Sequence, residues 1–369
     1  MIPIYKPYLP PNSLKYAHNA LDSSWISSRG PYIQIVQEKL QELLKVKHAL
    51  PLNNGTSACH LVAKALSKKL GPGVKNLLVP DNVYVAAWNA FLFDQSYDLI
   101  TVKTDVKTWN IDLNDLDKKI LQHPDAAVLI VHNIGNIINV PELQWKYPNT
   151  IFVEDNCEGL FGKYNGKNTG TECLASAISF FGNKNITTGE GGCFLTNDTE
   201  LYEYVNCIQT QGQSKKRFIH DELGYNYRIT NIQSALLVGQ LEILPQILEM
   251  KEKVFSNYRE AFKDRKDLFM QKREFATEHA NWMFGVRVIG NDYEKAEQFF
   301  NARNIEIRQM FFPITSHNYL KDNSAVIVDN CENADILNKE CIILPSYPEL
   351  GNKEQNYIIK TFEEYVKEL

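Results

Sequence analysis

The feature that most constrains the fold is a repeated alternation of short β-rich runs with amphipathic helical runs through the first two-thirds of the chain. The predicted strands are 48–53, 76–80, 97–102, 126–132 and 150–155, followed by ASAISFF and GGCFLT, and the helices between them include 56–70 and 82–93. Such alternation predicts an α/β fold whose mostly parallel sheet carries helices on both faces. Ligands of these sheets bind at the carboxyl ends of the strands.

The regular alternation of strands and helices stops after the helical run NIQSALLVGQLEIL, which should end or kink at Pro245. The remaining segment contains predicted strands and helices of a smaller α+β unit, over 282–289, 293–303, 305–309, 341–345 and a closing helical run. We therefore expect a large α/β domain over 1–245 and a small C-terminal α+β domain over 246–369.

Composition excludes several classes of function. The 369 residues include 39 Lys and Arg against 44 Asp and Glu, a net charge of −5, so we expect no nucleic-acid partner. The seven cysteines form no C-x-x-C pair, which favours reduced thiols and predicts no metal site. The amino terminus lacks the pattern of a signal peptide and no apolar run is long enough to span a bilayer, so we expect a cytoplasmic protein without a membrane partner.

The stretch SFFGNKNITTGEGG contains one lysine at a strand end, Lys184. A phosphate-binding P-loop places its lysine after the last glycine, whereas Lys184 precedes Gly189, Gly191 and Gly192. Partial burial lowers the pKa of an ammonium, and a neutral lysine amine can form a Schiff base with a carbonyl. The alternative is a solvated loop lysine.

Two other strand ends carry polar groups. Asp155 in FVEDNCEG could pair with the ring nitrogen of a pyridine cofactor or serve only as a helix N-cap. In NNGTSACH, Gly55 permits a tight turn, and Thr56 and Ser57 could hold a phosphate at the helix N-terminus. A plain Thr or Ser N-cap is compatible with the same residues.

In combination these stretches resemble the DegT/DnrJ/StrS family of sugar-nucleotide aminotransferases, which are fold type I pyridoxal-phosphate enzymes. The resemblance covers nearly the whole chain and is most specific in SFFGNKNITTGEGGCFLTND and GYNYRITNIQSALLVGQLE. It implies that Lys184 binds pyridoxal 5'-phosphate covalently and moves protons, and that Asp155 pairs with the pyridine nitrogen.

Further roles follow only from the resemblance. It implies that Thr56 and Ser179 bind the cofactor phosphate, and that Asn226 in GYNYR reaches this phosphate from the partner subunit of a homodimer with shared active sites. Tyr84 lies where an aromatic side chain stacks on the cofactor, although it could instead pack in a helix core. The resemblance also places Glu158 near the cofactor's phenolic oxygen. A glutamate at this position would need a hydrogen-bond donor, or would need to carry a proton itself.

The run NITTGEGG resembles the branch acting on 4-keto sugars, with perosamine-synthase-like enzymes as the nearest match. The expected reaction moves an amino group from an amino acid, L-glutamate, to C4 of a nucleotide-linked 4-keto-6-deoxyhexose in surface glycan biosynthesis. A UDP- or dTDP-linked 4-keto sugar of the viosamine type and a 3-keto sugar remain alternatives. Plausible contacts to the sugar nucleotide, each of which could equally be a surface charge, are Arg29, Arg228, Arg308 and His317.

Other classes fit the sequence less well. Relatives that act as sugar dehydratases carry histidine in place of the lysine at position 184. A cofactor-binding regulator would usually append a DNA-binding domain, for which the chain has no basic helix. A nicotinamide oxidoreductase would need a G-x-G-x-x-G run after the first strand, where this sequence has NNGTSA.

Overall fold

The structure is a computed structural model that describes residues 1–73 and 75–369. Its α-helices are α1 (Pro11–Asp22), α2 (Pro31–Leu44), α3 (Gly55–Leu70), α4 (Ala86–Leu92), α5 (Leu113–Gln122), α6 (Val140–Lys146), α7 (Thr199–Ile208), α8 (Asn231–Glu242), α9 (Leu244–Phe262), α10 (Tyr293–Asn301), α11 (Asn318–Lys321), α12 (Glu332–Glu340) and α13 (Asn352–Lys367). Its strands are β1 (His48–Leu52), β2 (Lys75–Pro80), β3 (Tyr97–Val102), β4 (Ala127–Val131), β5 (Phe152–Asp155), β6 (Lys163–Tyr164), β7 (Lys167–Asn168), β8 (Ser176–Ser179), β9 (Gly192–Thr196), β10 (Leu268–Phe269), β11 (Thr277–Glu278), β12 (Phe284–Val288), β13 (Arg308–Gln309), β14 (Val326–Ile327) and β15 (Cys341–Leu344).

A mostly parallel sheet forms the centre of the molecule, as the alternation of strands and helices predicts. Across the described residues it has eight strands in the order β1-β9-β8-β5-β4-β2-β3-β14. Strand β9 runs antiparallel to its neighbours β1 and β8, while the pairs from β8 to β14 are parallel. Strands β1, β2, β4, β5 and β8 therefore end at one edge of the sheet, where the polar stretches of the sequence follow them.

Both faces of this sheet are buried because successive side chains of each strand point to opposite sides. In β2, Leu77 and Val79 pack into the cluster beneath α3 and α4, whereas Leu78 packs with the residues of α5 on the other face. In β9, Phe194 joins the first cluster and Cys193 joins a third, formed with α2 and α8. Helix layers on both faces hold the strand ends in fixed positions.

A second core lies in the C-terminal part of the chain. The antiparallel sheet β10-β12-β15-β13 packs its apolar residues against α9, α10 and α13. Helix α8 ends at Glu242, and Pro245 lies in the first turn of α9, which confirms the expected helix break. The division into domains predicted at residue 245 falls in this turn.

The two parts of the chain are joined at additional points that periodicity did not indicate. Strand β14 adds to the outer edge of the large sheet through pairing of Val326 with Leu99 and of Ile327 with Ile100. At the other end of the sequence, Ile2 forms a bridge with Ile305. The predicted strand 305–309 is shorter than expected, since only Arg308–Gln309 pairs with β15.

The predicted helix 82–93 also differs from the structure. Helix α4 starts at Ala86, and the segment before it forms a bend whose Asn82 bridges to Pro313. The side-chain amide of Asn82 donates to the backbone carbonyl of Phe311, which holds this segment on the C-terminal part of the chain. Within 1–73 and 75–369, the helices are all too short or too polar to cross a membrane.

Candidate active site

A cavity of about 460 Å³ opens at the carboxyl edge of the large sheet. Its volume lies in the range of ligand pockets. Residues that the sequence singles out and that line it are Gly55, Thr56, Tyr84, Asp155, Glu158, Ser179, Lys184 and Arg308. Residues that line it without having been predicted are Asn54, Cys59, Ala86, Cys157, Phe181, Asn183, Glu190, Trp282 and Phe311.

Lys184 is half-buried in the turn that follows β8. Its backbone N–H donates to the carbonyl of Phe181 at 2.9 Å, and its own carbonyl accepts from the hydroxyl of Tyr5 at 2.9 Å. The Lys184 Nζ atom lies 3.8 Å from the centre of the Trp282 ring, a distance at which the ring face attracts an ammonium. The indole of Trp282 also donates to the carbonyl of Asn183 at 2.8 Å. The lysine is thus held at the cavity and is not a freely solvated loop residue.

The glycines after Lys184 serve close packing of the backbone. A Cβ atom at Gly192 would lie 2.4 Å from the backbone oxygen of Asn54, and one at Gly191 would lie 2.1 Å from the Thr188 hydroxyl. Gly189 has a φ of +81°, which side-chain-bearing residues rarely adopt. The glycine-rich run therefore turns the chain tightly from Lys184 into β9 and brings β9 against the start of α3.

The start of α3 forms a cradle with the end of β8. Asn54 caps the helix by accepting from the backbone N–H of Ser57 at 2.8 Å. A Cβ atom at Gly55 would lie 2.8 Å from the Ser179 Cβ, so only glycine allows this approach. The first N–H groups of a helix have no partner within the helix and attract anions, and Thr56 and Ser179 add hydroxyl groups. The cradle fits a phosphate.

Asp155 is buried at the end of β5 and faces the cavity. Its Oδ1 atom accepts from the backbone N–H of Cys157 at 3.0 Å. This bond is the cap-like contact expected of Asp after a strand, and it leaves the carboxylate on the cavity wall. The described residues after β5 form a turn and not a helix, so Asp155 is not the helix N-cap that the sequence allowed, while pairing with a ring nitrogen stays a prediction.

Glu158 is buried in the same wall, and its Oε2 atom accepts from the backbone N–H of Ile134 at 2.7 Å. Burial raises the pKa of Glu158 to about 7, against the opposing effect of the nearby Lys184 charge. Ile134 has a φ of 57°, an uncommon conformation for a β-branched residue, and this conformation directs its N–H toward Glu158. A glutamate with this pKa carries a proton in a large share of molecules at neutral pH.

The opposite side of the cavity comes from other segments. Tyr84 is 59% exposed, lies ahead of α4 and has its ring centre 5.9 Å from that of Phe311. It is therefore not packed in a helix core, which removes the structural alternative for this residue. Trp282, Arg308 and Phe311 approach from the C-terminal part of the chain. Their distance in sequence from Lys184 explains why periodicity did not associate them with the site.

The GYNYR loop, residues 224–228, crosses the end of β1 next to this cavity. The backbone N–H of Asn53 donates to the carbonyl of Tyr227 at 2.8 Å. The rings of Tyr225 and Tyr227 stack at 4.9 Å, and the Tyr227 hydroxyl lies 3.0 Å from the Nδ1 atom of His60. Asn226 and Arg228 of the same loop are both exposed. The Arg228 guanidinium donates to the Asn226 Oδ1 atom at 3.0 and 3.2 Å.

Other predicted residues lie outside the cavity of one chain. Ser57 is buried behind the helix start, and Asn226 and Arg228 line none of the cavity. Arg29 is exposed at a separate surface depression with Ser28 and Gly30. The His317 ring packs edge-on against Trp88 at 5.7 Å, and burial lowers its pKa. The roles of Ser57 and Asn226 toward the cofactor phosphate, and of Arg29, Arg228 and His317 toward a sugar nucleotide, stay predictions.

The donor groups of the cavity match pyridoxal phosphate. The cavity offers an amine at Lys184, a buried carboxylate at Asp155 and an anion cradle at the start of α3. A buried oxygen of Asn183 on its wall also lacks a hydrogen-bond partner among the described residues. An α/β fold with a mostly parallel central sheet that carries this cavity is that of the fold type I pyridoxal-phosphate enzymes.

Comparison with known proteins places the chain within this class. Residues 8–363 match the model of the DegT/DnrJ/EryC1/StrS aminotransferase family, and the chain belongs to that family. It is 33% identical to the GDP-perosamine synthase of Escherichia coli O157:H7, with 99% of this chain and 98% of the relative covered. It is 31% identical to that of Vibrio cholerae, with 99% of both covered.

Solved structures share the fold. Helicobacter pylori PseC, an aminotransferase involved in the biosynthesis of pseudoaminic acid, superposes with a TM-score of 0.90 at 24% identity over 99% of both chains. An E. coli GDP-4-keto-6-deoxy-D-mannose-3-dehydratase with bound hydrated PLP gives 0.88 at 24% identity, covering 98% of this chain and 99% of the other. The protein is a pyridoxal-phosphate-dependent sugar aminotransferase.

Proposed function

We propose that the protein transfers the amino group of L-glutamate to C4 of a nucleotide-linked 4-keto-6-deoxyhexose, as in perosamine formation, for the synthesis of a surface glycan. The observation that carries this proposal is the cavity in which Lys184 and Asp155 meet the anion cradle of α3. The similarity to two GDP-perosamine synthases over the whole chain favours a GDP-linked sugar. The seven free thiols are consistent with a cytoplasmic site of action.

Pyridoxal phosphate would supply a carbonyl for attachment and an electron-accepting ring. Lys184 would hold the cofactor covalently and, when released, carry the proton to and from the Cα atom of the amino donor and the C4 atom of the sugar. The Trp282 ring beside Nζ would keep the freed ammonium close to these atoms. The charge of Asp155 would keep the pyridine nitrogen protonated.

The remaining groups of the cavity would bind and orient the cofactor. Thr56, Ser179 and the first N–H groups of α3 would hold the phosphate. Tyr84, exposed at the cavity, would cover the ring. Because its pKa is about 7, Glu158 could donate its proton to the phenolic oxygen, which supplies the proton that the sequence left unexplained.

The active unit would be a homodimer in which the GYNYR loop of one subunit completes the site of the other. The exposed side chains of Asn226 and Arg228 bond to one another beside the end of β1. A phosphate or a sugar nucleotide bound to a second copy of the chain could replace this mutual hydrogen bond. Large apolar side chains are also exposed just before the GYNYR loop, namely Phe218, Ile219 and Leu223. Two more, Trp25 and Ile26, are exposed in the segment whose Trp25 carbonyl accepts from Asn231 at the start of α8. Their burial in a dimer would stabilise it.

The test is an assay of the purified protein with L-glutamate and GDP-, UDP- and dTDP-linked 4-keto-6-deoxyhexoses, together with the corresponding 3-keto sugars. The expected result is a 4-amino sugar product and 2-oxoglutarate in equal amounts, formed fastest from the GDP-linked substrate. A higher kcat/KM with a UDP- or dTDP-linked sugar would assign the viosamine type of reaction. Amination of a 3-keto sugar alone would overturn the assignment of C4.

A further inference from the structure

Two cysteines and the buried aspartate form a cluster on the floor of the cavity. The Sγ atoms of Cys59 and Cys157 and a carboxylate oxygen of Asp155 lie within 4.8 Å of one another. All three residues face the cavity. No spacing in the sequence marks them, because Cys59 comes from the second turn of α3 and Cys157 follows β5; the fold alone brings them together.

The spacing of these atoms is close to that of a zinc site. Tetrahedral Zn²⁺ with Zn–S bonds of about 2.3 Å and Zn–O bonds of about 2.1 Å separates its ligand atoms by roughly 3.5–3.8 Å. A contraction of at most about 1.3 Å would therefore bring the cluster to bonding geometry. Three protein ligands with a fourth position open to a cavity are the arrangement of an accessible zinc site, and thiolates favour Zn²⁺ among biological divalent ions.

The charges also suit a divalent ion. Binding of Zn²⁺ would release the two thiol protons. Two thiolates and one carboxylate would then balance the charges of the ion and of the Lys184 ammonium.

We propose that Cys59, Cys157 and Asp155 form a Zn²⁺ site in the cofactor-free protein, and that this site and pyridoxal phosphate exclude one another. The exclusion rests on the proposed function, since it requires that Asp155 be the partner of the pyridine nitrogen. A Zn²⁺ ion on Asp155 would neutralise its carboxylate and place two positive charges where the pyridine nitrogen has to hold a proton, so the two ligands would oppose one another. Zinc would thus hold newly made or cofactor-depleted enzyme in an inactive form.

Cobalt provides the direct test, because thiolate ligands give Co²⁺ a strong charge-transfer absorption. The full-length protein, freed of cofactor by dialysis with hydroxylamine, should bind one equivalent of Co²⁺ with this absorption, and added Zn²⁺ should remove it. The Cys59→Ser and Cys157→Ser variants should each bind Co²⁺ roughly tenfold or more weakly, and the double variant should lack the absorption. Cys207→Ser, which removes a half-buried thiol outside the cavity, should behave as wild type.

Absence of the absorption in the wild type, or its persistence in the double variant, would overturn the metal site. Uptake of pyridoxal phosphate and an unchanged circular dichroism spectrum would show that the variants are folded. For the exclusion, Zn²⁺-loaded wild type should take up pyridoxal phosphate far more slowly than the metal-free protein, while the double variant should show no difference. Equal uptake by loaded and metal-free wild type would overturn the exclusion, whereas failure of the sugar assay would overturn only the proposed function.

Discussion

The cavity around Lys184 and the GYNYR loop lie at the same end of the large sheet, but their polar groups have different surroundings. In the cavity, Asp155 and Glu158 are buried and each accepts a hydrogen bond from a backbone N–H of the same chain. In the loop, Asn226 and Arg228 are exposed, and their side chains bond to each other. Within one chain, the polar groups of the cavity are thus buried and held by the backbone, whereas those of the neighbouring loop are available to another molecule.

The strongest test of the enclosed region is Lys184→Ala. We expect turnover to fall by at least about 10⁴-fold, because the other described residues that line the cavity offer no amine to bind the cofactor covalently and move the proton. Steady-state kinetics measure the loss, and thermal melting should show a folded protein. Borohydride reduction followed by peptide mapping should place the cofactor on Lys184 in the wild type. Label on a different lysine would contradict the assignment, and Lys64→Ala, which removes a half-buried lysine of α3, is the matched control.

The second test separates charge from hydrogen bonding at Asp155. Asp155→Asn keeps an oxygen that can accept from the Cys157 N–H but removes the charge. We expect both Asp155→Asn and Asp155→Ala to retain cofactor and to lose on the order of 10²–10⁴-fold in kcat, measured with saturating substrates. Near-normal turnover by the Asp155→Asn variant would mean that Asp155 is only a cap, with an effect of about 1 kcal/mol on stability.

The exposed region is tested by complementation between subunits. The double variant Asn226→Ala, Arg228→Ala should be inactive by itself, as should Lys184→Ala. Dimers formed from an equal mixture should recover about a quarter of the wild-type activity, because half of them are mixed and each mixed dimer has one intact site. Mixed dimers with no activity, verified by differently tagged subunits, would show that each chain completes its own site.

A control for this experiment lies in the same loop. Tyr225→Phe keeps the ring that stacks on Tyr227 and removes only a hydroxyl at the edge of hydrogen-bonding distance from Asp94. We expect activity within about twofold of wild type, since surface hydrogen bonds contribute little. A large loss would mean that activity depends on the internal packing of the loop and not on the exposed side chains of Asn226 and Arg228.

The smallest effect concerns Glu158 and pH. Burial raises the pKa of Glu158 from 4.5 to about 7, so as pH rises this side chain loses its proton in the unfolded chain before it does so in the folded chain. The free energy of unfolding therefore falls between pH 4.5 and about 7. The loss totals about 3 kcal/mol at most. Glutamine does not ionise, so the Glu158→Gln variant should not show this decline. Relative to wild type, the variant should therefore become more stable as pH rises from 4.5 to about 7. Denaturant unfolding of the cofactor-free proteins measures it, and parallel curves would refute the raised pKa.

Much of the fold follows from local patterns in the sequence. Short apolar runs that end in polar residues locate the strand ends, so Lys184, Asp155 and the start of α3 could be assigned to one edge of the sheet. Helix and strand boundaries were less accurate: the segment 82–85 forms a bend because Asn82 bonds to Phe311, a contact that no local pattern records.

Side chains from distant segments could not be assigned to the site. Trp282 lies almost a hundred residues from Lys184, at the start of the predicted strand 282–289 and just ahead of β12, where an apolar run indicates only burial. It reaches the lysine because its indole bonds to Asn183. The cluster of Cys59 and Cys157 likewise exists only in the folded chain. Conversely, Arg29 and His317 had the chemistry of sugar-nucleotide contacts but lie outside the cavity of one chain.

The position of β14 in the chain has a consequence for protein synthesis. Val326 and Ile327 cover the outer edge of β3, yet the ribosome makes them more than two hundred residues after Tyr97–Val102. Until they emerge, the nascent chain presents a six-residue strand edge with free N–H and C=O groups, which can pair with other chains. The stretch of translation between β3 and β14, which is more than half of the chain, is therefore the period in which this edge is prone to aggregate and in which chaperone binding would be most valuable.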